Sequence, residues 1–256
     1  MSDTAPLRGV TALVTGASSG LGRHFSLTLA QAGAEVILAA RRPTTLTSAV
    51  LEIHALGGRA HAVAMDVRSR DSVRVALEEV GAQTGRCVNV LVNNAGVADT
   101  KAALRYDDGD WASIVGTNLT GAWTVAQETA SRMVEQRVAG SIINITSILA
   151  NRVAGGVSPY CAAKAGLRHL TQALAVELAR HQIRVNSLAP GYIVTDLNRD
   201  FLEGDKGEQL RMRNPMRRFG ALSDLDGPLL LLASPASAYM TGAELVVDGG
   251  HQCNPL

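Results

Sequence analysis

Ser147, Tyr160 and Lys164 are separated by thirteen and then four positions. Four positions are about one helical turn, so a helix would carry the phenol and the amine on one face. A free tyrosine hydroxyl has a pKa of about 10, too high for efficient proton exchange near neutral pH. A neighbouring ammonium favours the phenolate. Lowering the phenol by ~3 units takes roughly 4 kcal/mol of differential stabilisation, within reach of a partly desolvated pair. Ser147 would then hydrogen-bond a substrate oxygen and orient it toward Tyr160. The chemistry is proton transfer at an oxygen atom. A Tyr-x-x-x-Lys pair alone says little, because any amphipathic helix can contain one. A serine closing a strand and a glycine-rich turn upstream give it meaning.

That turn is residues 15–22, TGASSGLG. After a strand, Gly16 permits a tight turn, Gly20 lets the backbone approach a pyrophosphate, and Gly22 lets the helix pack close to the sheet. With Ser18, Ser19 and Leu21 they form a segment whose free N–H groups, at the positive end of a helix, would face phosphates. Any strand-to-helix turn can use glycine, but the position directly after the first strand favours a nucleotide. The spacing is GxxxGxG rather than GxGxxG. An acidic residue ending the second strand would bind an adenosine 2′-OH and repel a 2′-phosphate. That position is Ala40, and Arg41 and Arg42 follow. Two cations thus stand where a 2′-phosphate would lie, and one charge-assisted hydrogen bond is worth about 1.5–3 kcal/mol. NADP(H) is the expected cofactor, with NAD(H) second; solvated loop arginines, or an arginine stacked on adenine, would also fit. Asp66 and Val67 after the third strand lie at adenine height. Asn93, Asn94, Ala95 and Gly96 end the fourth strand, where small residues let a ribose approach. Ordinary turns use the same residue types, but such sheets bind ligands at the carboxyl ends of their strands.

The elements that must position these residues alternate along the chain. Strand patterns cover residues 11–15, 35–40, 60–65, 88–92, 141–146, 183–188 and 244–247, nearly all apolar, as in strands covered on both faces. Helical patterns cover 21–32, 44–56, 69–84, 111–134, 159–180 and 224–232. The expected fold is α/β: a doubly wound parallel sheet of about seven strands with helices on both faces, Rossmann-like, in a single domain spanning 1–256. Residues 114–126 and 167–178 are apolar around much of the helix, which suits either a thick core or a subunit interface.

Composition removes other classes. The chain has 256 residues, 46% hydrophobic, with 24 Lys+Arg against 23 Asp+Glu. A formal charge of +1 excludes a strongly basic nucleic-acid binder. Cys87, Cys161 and Cys253 form no CxxC pair, which fits a reducing compartment. No histidine motif supports a metal site, and no apolar run approaches the ~20 residues of a membrane span. The expected protein is soluble and cytoplasmic, its first seven residues a loose tail.

The chain resembles the short-chain dehydrogenase/reductase family, in its single-domain branch with the GxxxGxG turn. The resemblance runs from about Val10 to Gly250. It rests on TGASSGLG, Asp66-Val67, NNAG at 93–96, Asn118 within GTNLTG, Ser147, YCAAK at 160–164 and Pro190-Gly191. It implies Tyr160 as general acid/base, Ser147 as the group polarising the carbonyl, and Lys164 as ribose ligand and modulator of the tyrosine. Asn118 would hold a water in a proton relay; otherwise it marks a helix kink. Pro190, Gly191, Ile193 and Thr195 would shield the nicotinamide and bind its amide. The implied reaction is reversible hydride transfer between NAD(P)H and a ketone, aldehyde or secondary alcohol, in a homotetramer or homodimer built through the two long helices. One departure stands out: NADPH-preferring members often carry a basic residue before the middle glycine, where this chain has Ser19.

Substrate choice falls to loops over the nicotinamide: residues 148–157 and a lid at about 190–215. Leu149, Val157, Tyr192 and Leu197, with Ser147 and Tyr160, are the expected substrate contacts. Arg137, Arg180 and His181 leave a β-ketoacyl carrier-protein reductase open as an alternative. A non-catalytic dinucleotide-binding regulator and a sugar-nucleotide epimerase are the others; the intact Tyr-Lys pair opposes the first, and the lack of a large carboxyl-terminal substrate domain opposes the second.

Overall fold

The computed structural model describes residues 5–195 and 198–253. Among them, β1 (Thr11–Thr15), β2 (Glu35–Ala40), β3 (Arg59–Ala64), β4 (Val90–Asn93), β5 (Gly140–Ile145), β6 (Ile183–Pro190) and β7 (Glu244–Val247) form one parallel sheet in the order β3-β2-β1-β4-β5-β6-β7. The order reverses between β1 and β4, whose pairing sets Ala12 beside Val90 and Val14 beside Val92. At such a reversal the connections leave toward opposite sides, and a crevice opens beyond the strand ends.

Two cores, one on each face, hold the sheet. On one, α1 (Gly20–Gln31), α2 (Thr47–Ala55) and α9 (Asp226–Ala233) bury Phe25, Leu29, Ile53, Leu229 and Leu232 against Val14, Val36 and Ile143. On the other, α3 (Arg70–Thr84) and α5 (Ala122–Glu135) bury Val73, Leu77, Val125 and Met133 against Leu13, Ile37, Leu91 and Ile142. Successive residues of β1, Leu13 and Val14, thus serve opposite cores, as the two-residue period of a strand requires. Local signals agree: the Ser69 side chain accepts from Ser72 N at the start of α3, and left-handed Gly85 ends it.

The helical pattern at 111–134 is not one regular helix. It resolves into α4 (Asp108–Val115), a π-helical turn (Gly116–Gly121) and α5. Asn118, fully buried in that turn, donates through Nδ2 to Ile114 O at 2.9 Å and to Val97 O at 2.7 Å. Side-chain capture of a helix carbonyl and a wider turn go together, because the carbonyl is released from its usual partner. The other long helix, α6 (Ser158–Leu178), is regular. Within the expected lid lie two short helices, α7 (Arg199–Glu203) and α8 (Asp205–Arg213).

Candidate active site

The glycine turn is fixed by contacts that leave no space. Gly16 has φ of +65°, and a Cβ there would stand 2.9 Å from Ala95 Cα; one on Gly22 would stand 2.2 Å from Gly16 O. Thr15 Oγ1 accepts from the main-chain N–H groups of Asn94 (3.1 Å) and Ala95 (3.0 Å). Asn94 Nδ2 returns to Thr15 O at 2.9 Å. These bonds join the ends of β1 and β4. Ser19, the N-cap of α1, makes no side-chain cap bond, so the first N–H groups of the helix stay available to an anion.

A cavity of about 530 Å³ opens over the strand ends, a size usual for small-molecule sites. Its wall includes Gly16, Ser18, Ser19, Gly20 and Leu21 of the turn, Arg41 beyond β2, and Asp66 and Val67 beyond β3. It continues past Ala95, Gly96 and Asn118 to Ser147, Tyr160 and Lys164, and closes with Pro190, Gly191, Tyr192, Ile193 and Thr195. The residues singled out from eight stretches of sequence therefore share one space.

Five others stand outside the wall. Gly22 packs beneath the turn. Arg42 is exposed and starts the short 3₁₀ turn Pro43–Leu46, with its carbonyl accepting from Thr45 Oγ1. Asn93 is buried; its Nδ2 donates to Ala122 O (2.9 Å) and Asn144 Oδ1 (3.0 Å), tying β4 to β5 and α5. Leu149 lies in the 3₁₀ turn Ile148–Ala150, and Val157 precedes α6. The remaining expected substrate contact, Leu197, lies outside the described residues. Conversely, Arg68, Asn94, Val97, Ser113, Thr117 and Thr146 line the cavity without having been singled out as site residues. Asn94 and Thr146 sit next to named positions. Ser113 and Thr117 lie four apart in the helical stretch that carries Asn118, a signal legible in hindsight.

The chemistry end is sparsely paired. Ser147 follows β5 by two residues, and its Oγ accepts from Leu149 N at 3.1 Å. Burial pushes the Tyr160 phenol above its ordinary value, and the nearby Ser147 side chain, which favours the phenolate, offsets this only in part. Lys164, 4% exposed, donates from Nζ to Ile145 O at 2.7 Å, and burial pulls its pKa down to about 8. Its Nζ lies 5.6 Å from the centroid of the Tyr160 ring. The lysine thus approaches the ring face and a carbonyl. With the phenol raised by burial, Tyr160 is protonated at neutral pH. Asn118 Oδ1 is buried without a partner, beside Gly96. An orphaned buried acceptor costs free energy unless a water or ligand satisfies it.

A family model described as enoyl-(acyl carrier protein) reductase matches residues 16–252. The L-rhamnose 1-dehydrogenase (NAD(P)(+)) of Sphingomonas sp. (strain SKA58) is 41% identical, covering 97% of this chain and 98% of that protein. The chain belongs to the short-chain dehydrogenase/reductase family. A 3-oxoacyl-[acyl-carrier-protein] reductase of Thermotoga maritima is 37% identical over 95% of this chain and 98% of its own. The crystal structure of a gluconate 5-dehydrogenase from Burkholderia cenocepacia J2315, in complex with NADP and tartrate, superposes with a TM-score of 0.93 at 33% identity, over 98% of both chains. The protein is an NAD(P)H-dependent oxidoreductase acting on carbonyl and alcohol groups. Three features of the cavity fit a nicotinamide dinucleotide: the glycine cradle, the orphaned Asn118 Oδ1 and the uncapped start of α1. No described helix is long and apolar enough to cross a membrane, and no cluster of metal-ligating side chains occurs among the described residues.

Proposed function

We propose that the protein interconverts a small polyhydroxylated alcohol, of the sugar or sugar-acid class, and the corresponding carbonyl compound, with NADP(H) preferred over NAD(H). The observation that carries the catalytic part is the convergence of Ser147, Tyr160 and buried Lys164 at one end of a cavity that begins on the glycine turn. The cofactor, when bound, supplies or accepts the hydride. Tyr160 gives a proton to the carbonyl oxygen in reduction and takes it back in oxidation. Ser147 orients that oxygen toward the phenol. Lys164 holds the nicotinamide ribose, and Asn118 holds a water on Oδ1 that links Lys164 to solvent. Gly16, Ser18, Ser19, Gly20 and Leu21 receive the pyrophosphate, while Ala95 and Gly96 lie against the ribose. Asp66 and Val67 hold the adenine; Pro190, Gly191, Ile193 and Thr195 enclose the nicotinamide. Ser147, Tyr160 and Tyr192 face the substrate, under a lid at about 190–215.

The NADP(H) preference rests on Arg41, which lines the cavity with no carboxylate at the end of β2. The substrate class rests on the sugar and sugar-acid relatives. The β-ketoacyl reductase at 37% identity keeps a β-ketoacyl thioester as the second reading. Absorbance at 340 nm tests both: NADP⁺ should be reduced with L-rhamnose or gluconate, faster than NAD⁺. Oxidation of NADPH by a β-ketoacyl thioester alone would replace the first reading by the second, and a preference for NAD⁺ would remove the role of Arg41.

The assembly is a homotetramer or homodimer closed through α4, α5 and α6, where Trp111 (50%), Trp123 (37%) and Val176 (81%) expose large apolar surface. Light scattering after size exclusion should give two or four times the 26.8 kDa chain mass; a monomer would refute it. The three cysteines are free, which suits a cytoplasmic setting.

A further inference from the structure

Arg68 is a cavity residue with no assigned task. It is exposed, lines the cavity just beyond Asp66 and Val67, and among the described residues its guanidinium has no carboxylate partner. Its main-chain N–H donates to Asp66 Oδ1 at 3.0 Å, a local turn that sets the direction in which the side chain leaves β3. The guanidinium then reaches toward the end of α4, where Nε lies 3.6 Å from the place a Cβ on Gly116 would occupy. Ser113 and Thr117 of the same helical stretch line the cavity beside it. The side chain therefore walls the space between the β3 end and α4.

Arg41 occupies the other side. It leads from β2 toward α2, on the face that also carries α1 and the phosphate turn, whereas Arg68 leads from β3 into α3, on the opposite face. Because Ser147 and Tyr160 place the hydride chemistry over β5, the adenosine half of a dinucleotide lies over β2 and β3, between the two arginines. A 2′-phosphate on the α1 side meets Arg41; the base, lying beside Asp66 and Val67, meets Arg68. A guanidinium is planar and weakly hydrated, and it stacks readily on an aromatic face.

We propose that Arg68 clamps the adenine ring from the α3 side by stacking, and so tightens NADPH and NADH equally while Arg41 alone discriminates between them. This rests on the dinucleotide reading of the cavity. Arg68→Ala should weaken direct binding of NADPH, of NADH and of the fragment 5′-AMP by one common factor, about three- to thirty-fold. Binding of nicotinamide mononucleotide should not change. Arg68→Lys keeps the charge but loses the plane, and should restore only part of the loss. A loss confined to NADPH, no loss at all, or full rescue by lysine would each overturn the clamp. Arg41→Ala, measured alongside, separates the two readings: equal losses there would defeat the NADP(H) preference and leave the adenine clamp standing.

Discussion

At the Ser147 end of the cavity the ionisable groups are buried, and burial moves the proton affinity of both. Lys164 is drawn down to about 8, and Tyr160 is pushed up. At the Arg41 end stand two exposed arginines, Arg41 and Arg68, near the half-buried Asp66, and neither guanidinium has an ion-pair partner among the described residues. Desolvation penalises a charge and so tunes a proton, which acid/base chemistry requires. Solvated guanidinium groups cannot be tuned in that way, but they remain fully available to an incoming phosphate or base. On the proposed reading, one end of the site transfers protons and the other selects a ligand. Substitutions at the first should alter rate or pH dependence, and those at the second should alter affinity.

The largest effect belongs to Tyr160→Phe. Turnover followed at 340 nm should fall at least about 10²-fold, the low end for a lost general acid/base, with NADPH affinity kept. Near-normal turnover would take the tyrosine out of the chemistry and dissolve the contrast between the ends.

Next comes the buried amine. In the unfolded chain Lys164 titrates at its ordinary 10.5, and in the folded protein at about 8. Below about 8 both states carry the charge, and the folded state bears the whole cost of burying it. Between these values the unfolded chain still binds a proton that the folded one has released, so stability rises with pH. The contribution approaches about 3 kcal/mol across the full window. Urea unfolding of the wild type and Lys164→Met should therefore diverge, with the wild type gaining roughly 1–2 kcal/mol relative to the variant between pH 8 and 9.5. A constant difference would mean that the amine is less desolvated than its burial indicates.

Much of this was legible in the sequence. The seven strands fall within one or two residues of their apolar runs, because strands covered on both faces leave a continuous signal; β1 at Thr11–Thr15, β2 at Glu35–Ala40 and β7 at Glu244–Val247 coincide with theirs. The π-helical turn was not legible, since it depends on Asn118 meeting Val97 O, a contact across 21 positions. Asn93 and Asn94 are the same residue type at adjacent positions, yet one is buried between β4, β5 and α5 and the other faces the cavity. The strand pleat decides between them, and a motif does not record its phase. Arg41 and Arg42 divide in the same way, one on the cavity wall and one at the start of a surface turn.

Arg41→Ala probes the selecting end. Removing the guanidinium should weaken NADPH about tenfold, the scale of one charge-assisted hydrogen bond, and leave NADH nearly unchanged. Fluorescence titration of the two reduced cofactors reads the difference directly. The loss should shrink at high salt, because an exposed charge pair is screened, whereas the effect of Tyr160→Phe on turnover should not.

The smallest effect is expected at Ser19, exposed at the lip of the same end. As the N-cap of α1 it makes no side-chain bond, so replacing it forfeits little helix stability. Ser19→Arg would set a second cation near the 2′-phosphate. It would also place positive charge at the positive end of the helix, opposed by about 0.3–1 kcal/mol. The phosphate contact should outweigh that, raising the preference for NADPH over NADH a few-fold, roughly 0.5–1 kcal/mol net, with a small drop in Tm. An unchanged ratio of the two dissociation constants would place the phosphate beyond the reach of this turn. Selection at the exposed end would then rest on the loop after β2 alone.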